Sequence, residues 1–297
     1  MTPLWLGVIG LALALPVPAL LARASWPLLA PAAGVVLWQS LALAAVLAFS
    51  GAALSTALWL VTDDDPAWWR IALHVAILTT GVLIWARFWW AAAQVWRETS
   101  ARRARHRELV DLLGEPHGVL PAVRILSEQT PVAYCIPRHR DARVVISSGT
   151  VDALDAGALA AVLEHERAHV RARHDLVLET FGILHRAFPG PLRTDAPLRQ
   201  SQVLVELMAD DAARRAAGDP ALARAIVALA GAPTPAGSLG AGSDALLRLE
   251  RLTSPASTAA RRTSAAASIA LSVAVVVVPT VTLAVPWMYH ALDVVFS

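Results

Sequence analysis

The stretch LEHERAHVRARHDL, Leu163 to Leu176, decides how the chain is read. It places His165, Glu166 and His169 inside a run rich in Ala, Leu and Val, where a buried charge is costly unless it is paired or coordinates a metal. Two histidines four residues apart lie on one face of an α-helix, one turn apart. His165 and His169 can therefore approach a single ion at about 2.0–2.1 Å, the distance zinc takes from imidazole nitrogen. Glu166 occupies the adjacent helix position, suited to accept a proton from an activated water rather than to ligate. This is the H-E-x-x-H arrangement. A catalytic zinc takes three protein ligands and keeps one position open, so a third ligand is expected on a neighbouring helix.

Outward from the motif, the chain from Thr150 to Phe188 has helix-permissive composition and no proline until Pro189. It predicts one long helix, with Asp152 or Asp155 available as its N-cap. A second helix is expected from about Leu198 to Gly218, with Gly218 as its stop. It carries Glu206 in ELMADD, the best third ligand, and Asp210 one turn on, placed to accept the N–H of a liganding histidine. The rivals are His174, Asp175, Glu179 and His185. On a straight helix His174 falls roughly opposite His165 and reads as a solvated residue on an arginine-rich face. Glu179 and His185 would need a kink to reach the same ion. A shorter helix (DPALARAIVALAG), a Pro/Gly/Ser loop (APTPAGSLGAGSD) and a short amphipathic helix (ALLRLERL) follow. Upstream, Val132 to Ile136 and Arg143 to Ser147 read as a β-hairpin around a polar turn with Pro137 and Asp141. There is no internal repeat.

Composition sets the surroundings. At 56% hydrophobic and 16% charged, with 11 Trp, the chain exceeds the roughly 45–50% apolar share of soluble domains. About 20 apolar residues span a bilayer as a helix. Four runs qualify, at about 4–21, 34–61, 71–95 and 266–288. LLARAS offers an A-x-A site at Ala22 and Ala24, but MTPLW lacks the basic n-region of a signal peptide, so the first run reads as a retained helix. RETSARRARHR, after the third run, carries five arginines against three Asp and one Arg in TDDDPAWWR before it. The arginine-rich side is expected in the cytoplasm, which puts the N-terminus outside and the soluble block inside. Arg261 and Arg262 agree. Trp68, Trp69, Trp89, Trp90 and Trp287 fit an interfacial belt. His74 and Arg87, near the ends of the third run, read as structural. The formal net charge of +2 reports topology rather than a nucleic-acid partner. The single Cys135 excludes a disulfide framework or a cysteine-rich zinc finger.

Three apolar runs, an H-E-x-x-H block, a downstream ELMAD and a fourth run together resemble the M56 membrane metallopeptidases, typified by the BlaR1-like antibiotic-sensing proteases. ARVVISSGTVDAL and AAVLEHERAHVRARHD also resemble the wider gluzincins, which include the M48 and HtpX-like peptidases. The resemblance rests on motifs between about Tyr134 and Arg215. It implies a mainly α membrane protein of four transmembrane helices, with a cytoplasmic α+β zincin-like metalloprotease domain between the third and fourth. The domains are then 1–96, 97–265 and 266–297. It implies one zinc per chain, held by His165, His169 and Glu206, with Glu166 as catalytic base and Asp210 behind a ligand. The M56 family tends to carry Asp five residues after the second motif histidine. Here that place is His174, with Asp175 one further on. The antibiotic sensors also carry a large extracellular penicillin-binding domain after the fourth span, where this chain has only YHALDVVFS, so sensing of β-lactams by that route is not expected.

The function expected is zinc-dependent cleavage of a cytoplasmic protein, a transcriptional repressor by the M56 resemblance, with membrane lipid as the other partner and no direct nucleic acid. The strand Arg143, Val144, Val145, Ile146 and Ser147 is the expected edge for an extended substrate. Arg214 and Arg215 are weak candidates for oxyanion stabilisation. The alternatives are an M48-type quality-control or prenyl-processing protease, whose HtpX-like form is expected to place the motif after two spans, and a metal-stabilised scaffold without turnover. Glu166 speaks against the scaffold, since a purely structural site has no use for a base. A transporter is disfavoured because no run has a broken polar midplane.

Overall fold

The computed structural model describes residues 2–62, 67–117, 120–138, 142–187, 194–230, 239–240 and 244–296. They are mostly helical with one small sheet, and they form two compact units. One takes 1–92, 182–200 and 261–297; the other takes 93–181 and 201–260.

The first unit is built of apolar helices. Helix α1 (Thr2–Ala14) gives way at Leu15 to α2 (Pro16–Leu21). Pro16 has no N–H and pushes Leu15 out of the helical region, to φ −120°. Helix α1 packs on α3 (Pro31–Thr62), where Trp38 and Leu37 are buried and the Phe49 ring lies against Gly10. Helix α4 (Trp68–Leu113) runs on well past Val95 into the arginine-rich segment. In its apolar part Trp85 donates to Ser50 Oγ at 3.1 Å and Arg87 to the Ala187 carbonyl at 3.0 Å, while His74 Nδ1 lies 2.7 Å from the Arg70 carbonyl. Among the described residues, four helices are long and apolar enough to cross a membrane, at Leu4–Leu21, Pro31–Thr56, Trp68–Leu113 and Thr258–Tyr289. Each contains one of the four runs read from sequence, or most of it. The last is interrupted where Pro279 ends α11 (Thr258–Pro279): a π turn at Thr280–Ala284 leads into α12 (Val285–Phe296). The loop assigned to Asp63 to Asp65 lies outside the described residues.

The second unit holds a five-stranded sheet in the order β1-β2-β4-β3-β5, made of β1 (Glu115–His117), β2 (Leu120–Leu126), β3 (Ala133–Ile136), β4 (Arg143–Ser147) and β5 (Leu239–Gly240). The expected hairpin is β3 with β4, antiparallel and in register from Ala133↔Ile146 to Ile136↔Arg143. Asp141, assigned to its turn, lies outside the described residues. Strand β2 pairs parallel with β4, so β4 is flanked on both sides. The reading of Arg143 to Ser147 as an edge strand is therefore corrected: β4 has no free backbone ladder to offer a substrate. Strands buried on both faces read as continuous apolar runs, and this sheet is such a case. Val123, Cys135, Val144 and Ile146 face one core cluster, while Tyr134, Ile136 and Val145 face another with Val110 of α4.

The single long helix expected after Gly149 is three: α5 (Ser148–Ala153), α6 (Ala156–Arg171) and α7 (His174–Ala187). Leu154 is extended, and Asp155 caps α6 by accepting from Ala158 N at 2.7 Å. The second break follows Ala172, where Arg173 takes a left-handed φ of 52°. Neither break has the proline or glycine signature by which sequence marks such points. At α5 the chain turns tightly. Ser147 Oγ accepts from Thr150 N at 3.0 Å, and a Cβ on Gly149 would fall 1.9 Å from the Gln129 carbonyl oxygen. Helix α6 buries Ala158, Ala161 and Val162 with α9 (Asp219–Ala228), whose Leu222, Ala225 and Ile226 complete that core.

Candidate metal centre

The sheet and α9 hold α6 by its apolar face, and α6 turns His165 and His169 toward α8 (Ala196–Ala217). There Glu206 and Asp210, one turn apart, meet them. His165 Nε2 lies 3.2 Å from His169 Nε2 and 3.3 Å from Glu206 Oε2; His169 Nε2 lies 3.3 Å from Glu206 Oε1. All three residues are buried. A tetrahedron with arms of about 2.0–2.1 Å has edges of about 3.3–3.4 Å, so the separation of the two imidazole nitrogens suits two ligands of one zinc-sized centre, and the Glu206 carboxylate reaches each of them with a different oxygen. The cluster is the one grouping of three possible metal ligands found among the described residues.

Behind the ligand atoms, His165 Nδ1 lies 3.1 Å from Asp210 Oδ1. Asp210 is gripped from the other side by Arg248 of α10 (Ala245–Thr253), whose Nε and Nη2 donate to its two oxygens at 2.7 and 2.6 Å. Arg248 Nη1 is also 3.4 Å from Glu206 Oε2, although the side chain is only 2% exposed. One turn on, Arg251 pairs bidentately with Asp211 at 2.8 and 3.0 Å. Sequence reading missed Arg248. Its only signal is an arginine interrupting the apolar face of ALLRLERL.

Electrostatics points the same way. Glu166 is fully buried, and neither carboxylate oxygen has a hydrogen-bond partner among the described residues. Burial raises its pKa, against the pull of His165 and His169. Glu206 is also buried, yet the two histidines hold its carboxyl well below the usual range. Asp210 is lowered too, its burial outweighed by His165 and Arg248. Burial pulls His165 down, but Asp210 and Glu206 outweigh it and push the imidazole up to about 10. Three buried carboxylates share one arginine, so with all three ionised and both histidines neutral, as metal ligands are, the pocket is short of two positive charges. A divalent cation supplies them. The donor set, the spacing and the charge fit zinc.

Other sequence candidates fall elsewhere. His174, read as solvated, is 2% exposed, and its Nδ1 lies 2.8 Å from His169 Nδ1. The helix is not straight here: the left-handed Arg173 swings the start of α7 back toward α6. Burial and the nearby His169 push His174 down to about 3. Asp175 is buried but pairs with Arg103 and Arg173 at 3.5 and 3.4 Å, and Arg103 also holds Glu179 at 2.6 Å. His185 pairs with Asp195 at 3.0 Å in the first unit. Arg214 lies near Asp211 and Asp219, and Arg215 is exposed. Arg143 pairs with Asp111 at 3.0 Å, and Val144, Val145 and Ile146 are buried in the two cores. Cys135 is buried beside the site, its thiol pushed well up by burial and the Glu166 charge.

Among families of known proteins, peptidase family M48 matches residues 97–188, a segment that includes His165, Glu166 and His169 and ends before Glu206. A protease HtpX homolog from Desulforapulum autotrophicum is 29% identical over 119 residues, 36% of this chain. The chain spans 38% of that relative's length. No solved structure matches. Of the two resemblances carried by the sequence motifs, these likenesses support the one to M48 and HtpX-like metallopeptidases; that to M56 stands on motifs and apolar runs alone.

Proposed function

We propose that the chain is a membrane-embedded, zinc-dependent endopeptidase of the M48 type that cleaves cytoplasmic proteins. The observation that carries this reading is the buried His165, His169 and Glu206 triad with the unpartnered Glu166 carboxylate beside it. A zinc ion bound there supplies Lewis-acid polarisation of a carbonyl and lowers the pKa of water toward about 7. The chain's own groups do the rest. Glu166, made more basic by burial, takes the proton of the attacking water and hands it to the leaving amine. Asp210 orients His165, and Arg248 keeps Asp210 and Glu206 in place.

Residues 1–96 and 266–297 are the membrane parts of this reading, with 97–265 as the protease domain in the cytoplasm and the N-terminus outside. The arginines after the third apolar run support that orientation. The regulatory reading, cleavage of a transcriptional repressor in the M56 manner, is favoured by one observation: three apolar helices precede the motif.

The test is metal content and proteolysis of the detergent-purified full chain, using an unfolded protein as substrate. Near-stoichiometric zinc and chelator-sensitive cleavage are expected in the wild type. Glu166→Gln should keep the zinc and lose cleavage by at least about 10²-fold, and Glu206→Ala should lose both. A wild type free of zinc after chelator-free preparation overturns the reading.

A further inference from the structure

We infer that His174 is a positioning residue of the metal centre: its unprotonated Nδ1 accepts the proton of His169 Nδ1 and so fixes His169 in the tautomer that ligates through Nε2. This rests on the zinc reading above. His169 turns Nε2 toward His165 and Glu206, so as a neutral ligand it carries its proton on Nδ1. The atom facing that proton, 2.8 Å away, is His174 Nδ1. Two N–H groups cannot face each other at that distance, so His174 is the acceptor, and in its neutral form its own proton is on Nε2. That Nε2 is buried and has no hydrogen-bond partner among the described residues. The rings meet edge to face, with centroids 4.8 Å apart and planes at 86°. The approach depends on the left-handed Arg173, which ends α6 and turns the first residue of α7 inward.

The two ligand histidines are thus held by unlike partners. His165 leans on a carboxylate, Asp210, itself shared with Arg248. His169 leans on a neutral imidazole. The arrangement limits the negative charge packed around a pocket that already holds three carboxylates.

The experiment is zinc affinity by competition with a chromogenic chelator, on the full chain in detergent, comparing wild type, His174→Phe and His174→Asn. Phe keeps the bulk of the ring and removes the acceptor. Asn places a carbonyl oxygen close to where Nδ1 lies and restores it. The expected result is a 10–100-fold loss of zinc affinity in His174→Phe and affinity within about threefold of wild type in His174→Asn, with circular dichroism and melting curves of both variants close to wild type. Equal zinc affinity in His174→Phe and wild type overturns the inference while leaving the metalloprotease reading intact. Equal losses in His174→Phe and His174→Asn also overturn it, since they mark a packing role. A wild type that takes up no zinc removes the metal reading and this inference with it.

Discussion

At the scale of single residues, the centre is a balance of charge in a buried pocket, and its predictions follow from upsetting that balance. Arg248→Met removes the arginine that serves both Asp210 and Glu206. Breaking a buried pair from one side typically costs about 3–5 kcal/mol, so a marked fall in melting temperature is expected, together with weaker zinc retention on dialysis. Asp210→Asn keeps the shape but withdraws the carboxylate behind His165, and should weaken zinc by about 10–100-fold in the same chelator competition. Much of this pocket was legible in the sequence. His165, Glu166 and His169 announce themselves by spacing, and Glu206 and Asp210 by being acids one turn apart in an apolar helix. Arg248 and His174 were not legible, for different reasons. Arg248 reaches the site from an element joined to α8 only through tertiary packing. His174 depends on one backbone angle that no residue type marks.

Among elements, helices and strands were placed well where hydrophobic periodicity was strong and poorly where chain breaks had no marker. The β3–β4 hairpin, α8 and α10 came from pattern alone. Strands β1 and β2 were missed, and with them the fact that β4 is central, because the parallel pairing of β2 with β4 joins segments that no local turn connects. Two substitutions test the breaks. Arg173→Gly suits the left-handed turn and should leave stability within about 1 kcal/mol of wild type, whereas Arg173→Val forces a β-branched side chain into a region it avoids, at about 1–2 kcal/mol. Gly149→Ala should be more damaging than either, since its new methyl would overlap the Gln129 carbonyl. Chemical denaturation of the three variants side by side ranks them.

For the whole molecule, the apolar helices make detergent or lipid part of every measurement, and on the proposed reading metal is a stability factor as well as a catalytic one. A ligand that binds only the folded chain stabilises it in proportion to the logarithm of its concentration over its dissociation constant. Adding a chelator should therefore lower the melting temperature of the wild type and leave Glu206→Ala almost unmoved. The pairing of Arg248 with Asp210 joins residues made early and late along the chain, and this has a consequence for biosynthesis. The ribosome makes His165, His169 and Glu206 before the arginine that balances them, and the last apolar helix starts at Thr258, ten residues after it. Because chains begin to fold from the N-terminal side while still being made, a nascent chain carries the candidate ligands through a period in which Arg248 is not yet there to pair with Asp210 and Glu206. On the proposed reading, a chain synthesised only as far as Glu206 holds the three ligands without the arginine that steadies them, so proteolysis waits for the segment that carries Arg248.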